Sequence, residues 1–125
     1  MKKFKFILII FFIILTSCEG SDSYQGNWKA LDSKGKKYEI TFSPDNFTIK
    51  DSLGKSTKYR YIQNSFKHEN SIDTYGIRLN DGRGYEIYFP KKDESVGLIK
   101  DENGSQMFTI SRKGYISYED IYKLN

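Results

Sequence analysis

The chain has 125 residues, with 20 Lys+Arg against 16 Asp+Glu. Lys2, Lys3 and Lys5 open it; without them 17 bases face 16 acids, a net charge of +1. The bases are interspersed with acids, which gives no ground for a nucleic-acid-binding surface, and the 108 residues beyond position 17 allow one domain with a single core.

Residues 1–17 have the parts of an export signal: a basic start, an apolar stretch and a small-residue end. The unbroken run from Phe6 to Leu15 is ten residues long. A bilayer-crossing helix needs about twenty, so the run reads as a signal core. Thr16 and Ser17 then precede Cys18, the sole cysteine. A lone cysteine cannot close an internal disulfide, and a free thiol in an exported domain is a liability. Leu15-Thr16-Ser17-Cys18 resembles the lipobox of bacterial lipoproteins, and Ser17, where many carry Gly or Ala, is similar to those of the Bacteroidota. The resemblance implies cleavage between Ser17 and Cys18 and a diacylglycerol thioether on the Cys18 sulfur. It also implies residence in the bacterial cell envelope, anchored on the extracytoplasmic side of a membrane (the outer membrane in a Gram-negative host). Residues 18–25 are then expected as the lipidated cysteine with a short polar tether, and 26–125 as the domain.

From Gly26 the chain runs in short alternating segments broken by turns. Asn27 to Leu31 is closed by Asp32-Ser33-Lys34-Gly35. Tyr38, Ile40 and Phe42 share a face of the next run, and Ser43-Pro44-Asp45-Asn46 turns it back into Phe47 and Ile49. After Asp51-Ser52-Leu53-Gly54, Tyr59 and Tyr61 oppose Lys58 and Arg60 in a run from Thr57 to Ile62. Phe66 to Glu69 is expected as a separate, weaker strand. Tyr75, Ile77 and Leu79 line the sixth, and Asn80-Asp81-Gly82-Arg83-Gly84 is a hairpin loop because Asp and Gly accept positive φ. Tyr85, Ile87 and Phe89 alternate with Glu86 and Tyr88 up to Pro90. Ser95 to Lys100 and Gln106 to Arg112, separated by Asp101-Glu102-Asn103-Gly104, bring the count to eight or nine strands. Ser117-Tyr118-Glu119-Asp120 opens like a capping box, with a short helix expected over Ile121 to Leu124.

Short connections pair neighbouring strands antiparallel, and a meander of this length hides its inner face by closing. An all-β barrel is therefore expected. Its inward set is Trp28, Tyr38, Ile40, Phe42, Phe47, Ile49, Tyr59, Tyr61, Tyr75, Ile77, Leu79, Tyr85, Ile87, Phe89, Leu98, Phe108 and Ile110. Such bulky residues should largely fill the interior and leave a small cavity or only a mouth. Gly26-Asn27-Trp28, the Ile40-Thr41-Phe42 strand, Asn46-Phe47-Thr48-Ile49 and the repeated hairpins resemble the small lipocalin-like (calycin) domains of bacterial lipoproteins. The resemblance implies a Gly26-x-Trp28 motif whose indole plugs the closed barrel end, with Arg112 a candidate to cover it.

Catalytic signatures are not recognisable. His68, the single histidine, shares a face with Phe66 and reads as structural; with Cys18 lipidated, a zinc set has no other His or Cys. The acids at Asp81 and at Asp101-Glu102 are explained by turn chemistry rather than calcium, and Asp93-Glu94 is not read as a catalytic pair. No enzyme, metal or cofactor is expected. Two roles remain: a monomeric, lipid-anchored domain that takes a small apolar ligand, or a surface module for a protein partner. Tyr88 and the tail residues Tyr115, Tyr118 and Tyr122 are the aromatics that bear on the second, the tail ones being expected to cover a barrel end.

Overall fold

The computed structural model describes residues 23–90 and 94–123. The signal, Ser17, Cys18, residues 19–22 and the side chain of Tyr122 lie outside the described residues. Eight strands follow in order: β1 (Gly26–Asp32), β2 (Lys37–Phe42), β3 (Asn46–Asp51), β4 (Ser56–Glu69), β5 (Ile72–Leu79), β6 (Gly84–Phe89), β7 (Val96–Asp101) and β8 (Gln106–Ser111). A helix, α1 (Tyr118–Lys123), ends the chain. Each strand pairs antiparallel with the next, and β1 pairs with β8 from Lys29↔Ser111 to Asp32↔Phe108, closing the barrel. The tight turns between runs dictate that order, because each strand finds its partner within a few residues.

The separate strand expected over Phe66 to Glu69 does not exist: it is the far half of the 14-residue β4. Gln63 faces Ile77 and Ser65 faces Gly76, so Asn64 is an extra residue, a β-bulge. The bulge shifts the alternation by one, which brings Phe66 opposite Tyr75 and His68 opposite Asp73, on the same side as Tyr59 and Tyr61. Gly76 is required there: a Cβ would stand 2.2 Å from Ser65 Oγ and 2.9 Å from Asn64 Oδ1. A second bulge leaves Met107 extra between Ile99↔Phe108 and Lys100↔Gln106.

The interior follows the expected set with one correction. Ile87 is registered against Ile99 and Tyr88 against Leu98, so Ile99 points inward and Leu98 outward. Leu98 is nevertheless fully buried, as are the outward Thr109 and Ser111, because the C-terminal segment returns across this side. Thr109 Oγ1 donates to Ile116 O there, and Ile121 of α1 is fully buried outside the interior cluster. A strand covered on both faces loses the alternation that identifies its inner side.

The outward aromatics are accounted for locally. The Lys100 ammonium lies 4.5 Å from the Tyr88 ring centroid. Tyr115 does not cover a barrel end; its ring sits on the outer face of β1 and β2, with Lys37 at 5.1 Å and Lys29 at 5.7 Å. Tyr118 is about half exposed. Outward positions such as Lys29, Glu39, Lys58, Arg60, Glu86 and Lys100 are charged while the interior is apolar. That is the reverse of a membrane-spanning barrel, whose apolar band faces out.

Candidate functional site: a plugged end and an apolar cavity

The two ends of the barrel are built differently. At the closed end, Ser23 to Gln25 do not extend away as a tether. Tyr24 is 1% exposed, with its ring 5.4 Å from Phe42 and 5.0 Å from Tyr75, edge to face. Its hydroxyl donates to Gln63 Oε1 at 2.9 Å. Trp28 is equally buried, and its indole N–H donates to Tyr24 O at 2.7 Å. The Arg112 guanidinium lies 3.7 Å from the Trp28 ring centroid. From there it donates to three carbonyls: Asn27 at 2.9 Å, Ser23 at 2.9 Å and Gln25 at 2.6 Å. Gly26 makes the approach possible, since its φ is +104° and a Cβ would stand 2.8 Å from Arg112 Nη1. Gly26, Trp28 and Arg112, singled out from the sequence, therefore meet in one place.

Beside this plug the β4–β5 overhang carries a chain of titratable groups. His68 Nδ1 is paired with Asp73, which shares a hydrogen bond with Glu94, and Glu94 bonds to Ser23. Burial pushes the Glu94 carboxyl above its usual range, and the neighbouring Asp73 pushes it further. Asp73 is lowered, first by the hydrogen bond from Glu94 and then by His68. The opposite shifts make Glu94 the partner that holds its proton to the higher pH. The sequence reading missed this cluster because its members are 5 to 71 residues apart and meet only through the bulge in β4. Among the described residues no three His, Cys, Asp or Glu side chains form a metal-binding group.

At the other end, three hairpins share one loop. Asp32, Asp51 and Asp101 each accept two backbone N–H bonds on one carboxylate oxygen: from Lys34 and Lys36, Leu53 and Lys55, and Asn103 and Ser105, all at 2.9 or 3.0 Å. Gly35, Gly54 and Gly104 supply the positive φ that each loop needs. For Asp32, burial opposes ionisation, but these two bonds outweigh it and the carboxyl is lowered. The fourth hairpin keeps the backbone pattern, Leu79 N to Arg83 O at 2.8 Å and Gly82 N to Leu79 O at 3.0 Å, but has Leu79 in place of the aspartate.

That departure opens onto a cavity of about 200 Å³ inside the barrel. Ile40, Phe42, Phe47, Ile77 and Ile99 line its deeper part; Ile49, Tyr59, Leu79, Tyr85, Met107 and Phe108 complete the wall. The bulge in β8 is what lets the adjacent Met107 and Phe108 both reach it. Arg83 is the one charged lining residue. Its guanidinium lies 5.4 Å from the Tyr59 ring centroid, 3.5 Å from the Tyr85 hydroxyl and 2.8 Å from Asp81 Oδ2. The ion pair holds Asp81 low and Arg83 firmly protonated. The arrangement offers an apolar, largely aliphatic and aromatic chamber with a single cationic corner.

Compared with known proteins, the chain matches no family model and no curated protein.

Proposed function

We propose that this chain is a membrane-anchored envelope lipoprotein whose lipocalin-like barrel binds one small apolar ligand without catalysing a reaction. The cavity carries the reading: about 200 Å³, walled by apolar and aromatic side chains and Arg83. Drug-sized ligands occupy roughly 300–1,000 Å³, while a cavity of about 150 Å³ holds benzene. The chamber therefore suits a fused-ring molecule or a short branched chain with a polar end at Arg83, and is too small for a long acyl chain. The leader and the single Cys18 support the anchor, and the plugged end, where the described chain begins, is opposite the cavity mouth.

The test is a titration of the acylated protein with an indole- or naphthalene-sized fluorescent probe and with a hexadecanoyl probe. One saturable site for the ring probe and none for the long chain is expected. Ile49→Trp, placed in the cavity wall, should abolish uptake while leaving the far-UV spectrum unchanged. Failure of every ring probe to saturate, or undiminished uptake by the Trp variant, refutes the binding role. The anchor is read separately: the mature N-terminus should carry the thioether mass on Cys18, and Cys18→Ala should move the protein to the soluble fraction.

A further inference from the structure

The strand pairing gathers a basic face that the sequence disperses. Lys58, Arg60 and Ile62 alternate outward on β4, between the inward Tyr59 and Tyr61. Arg78 of β5 is registered directly against Ile62. Beyond the bulge, Lys67 points to the same outer side, registered against Thr74. Ile62 is 64% exposed at the centre of this set. It lies in a shallow groove with Arg60 and Arg78, with Asp45 and Asn80 at the margin. The ion pairs among the described residues are Lys29–Glu39, His68–Asp73 and Arg83–Asp81, so none engages Lys58, Arg60, Lys67 or Arg78. Arg78 is held by Gly82 O at 3.0 Å, which fixes its direction without neutralising it. The acids nearest in register are Asp45 at the groove margin, Glu69 two residues beyond Lys67 on the same outer side of β4, and Glu86, reached across Gly76 and registered against Lys100 on its other side. An exposed isoleucine ringed by unneutralised cations matches the apolar–basic character of a bilayer interface.

The length of chain before the described residues keeps the anchor close to the plugged end. Cys18 is five residues from Ser23, a reach of at most about 18 Å at ~3.6 Å per residue. Ser23 is tied to the plugged end between β8 and β5: its carbonyl accepts from Arg112 at 2.9 Å and its hydroxyl is 3.4 Å from that of Tyr75. We propose that the outer face of β4 and β5, centred on Ile62 and flanked by Lys58, Arg60 and Arg78, rests on an anionic lipid bilayer. The placement rests on the acylation of Cys18, whereas the attraction of this face for anionic lipid does not. In this pose the domain lies on its flank, and the cavity mouth opens along the membrane.

The test uses the acylated chain on vesicles of phosphatidylcholine, with and without one third phosphatidylglycerol. A fluorophore is attached through Ile62→Cys or, on the far side of the barrel, Lys29→Cys. A nitroxide-bearing lipid should quench the label at 62 several-fold more than the label at 29, and only with the anionic lipid. The triple variant Lys58→Glu, Arg60→Glu, Arg78→Glu should erase that difference while the acyl chains keep the protein on the vesicle. Equal quenching at both positions, or a difference that survives charge reversal, overturns the proposal. So does a label at 62 that stays quencher-free on vesicles and is shielded only by envelope proteins. Labelling stoichiometry reports the anchor independently, since an unacylated Cys18 takes a second fluorophore. In that event the unacylated full chain should still sediment with anionic vesicles, with ~100-fold weaker binding for the triple variant. No sedimentation overturns the proposal on its own account.

Discussion

Arg112→Ala is expected to be the most damaging single change outside the apolar core. The side chain makes three charge-assisted hydrogen bonds, to the carbonyls of Ser23, Gln25 and Asn27, and covers Trp28 at 3.7 Å. Hydrogen bonds to charged groups contribute roughly 1.5–3 kcal/mol each when dry. Ser23 and Gln25 are partly exposed and Asn27 is exposed, so water replaces some of what is lost, and ~1 kcal/mol each is the better figure. The cation–π contact over a buried ring adds ~1 kcal/mol. The total of about 4 kcal/mol is a large share of the 5–15 kcal/mol that holds a domain together. At roughly 4–8 °C per kcal/mol for a chain of this size, Tm should fall by at least about 15 °C. Arg112→Lys keeps the charge but neither the planar fork nor the stacking, and should lose about half as much. Thermal unfolding followed by near-UV circular dichroism measures both. A shift under about 4 °C for the alanine variant, or a lysine variant equal to the parent, would show that the plug is held by apolar packing alone. Gly26→Ala supplies the control: its new methyl collides with Arg112, so part of its cost should vanish in the Arg112→Ala background, leaving the strain of a positive φ.

Gly97→Ala should cost about 1–3 kcal/mol, because its Cβ would stand 2.9 Å from the Phe89 ring and 3.0 Å from the Tyr88 carbonyl; a urea midpoint equal to the parent's would contradict the packing. The Glu94–Asp73 pair sets a pH dependence. Glu94 is raised above its ordinary 4.5, so the native state keeps a proton that the unfolded chain releases, and stability should decline as pH climbs from about 4.5 through the native value. Asp73 is lowered from 3.8, so its contribution is lost as pH falls through the native value below that. Glu94→Gln keeps a hydrogen-bond donor toward Asp73 and has nothing to release; its urea midpoint should be flatter than the parent's as pH rises above about 4.5, and parallel curves would refute the raised Glu94 carboxyl.

What the sequence displays well is whatever repeats with period two and ends in a turn. Trp28, Ile40, Phe47, Tyr75 and Ile87 alternate with polar neighbours and lie inside as expected. Gly26-x-Trp28 and Arg112 were each visible as residues, but their meeting depends on strand closure between β1 and β8. Three features hide from alternation. Asn64 adds one residue to β4, so a pattern-based reading ends the strand where the phase breaks, although the ladder continues. Leu98 and Ile99 are both apolar because β7 is covered on both sides, and only register tells them apart. The basic face of β4 and β5 combines Lys58, Arg60 and Arg78 from positions that sequence distance separates and pairing joins. Tyr24 reads as part of a tether because its neighbours are small and polar; its burial comes from the aromatic pocket of Phe42, Tyr61 and Tyr75, none of them local.

The two ends of the barrel therefore differ in how far their bonds reach along the chain, and this bears on where a ligand can enter. Arg112 bonds carbonyls 85 to 89 residues away, so the plug exists only once the whole barrel is closed. The loops at the mouth are held by bonds spanning two to four residues, Asp32 to Lys36 or Asp101 to Ser105, and one can open without disturbing the rest. Local opening of low cost is what a binding entrance needs. The Leu79–Arg83 hairpin is the natural gate, since Arg83 stands in the cavity wall and the loop's own bonds, Arg83 N to Asp81 Oδ1 at 3.1 Å and Arg78 to Gly82 O at 3.0 Å, are local. Ligand should then slow hydrogen exchange at Gly82 and Arg83 while leaving the Trp28 indole N–H, bonded to Tyr24 O at 2.7 Å, unchanged. Ligand-dependent exchange at the indole with none at the hairpin would put the entrance at the plug, and the division of labour between the two ends would be reversed.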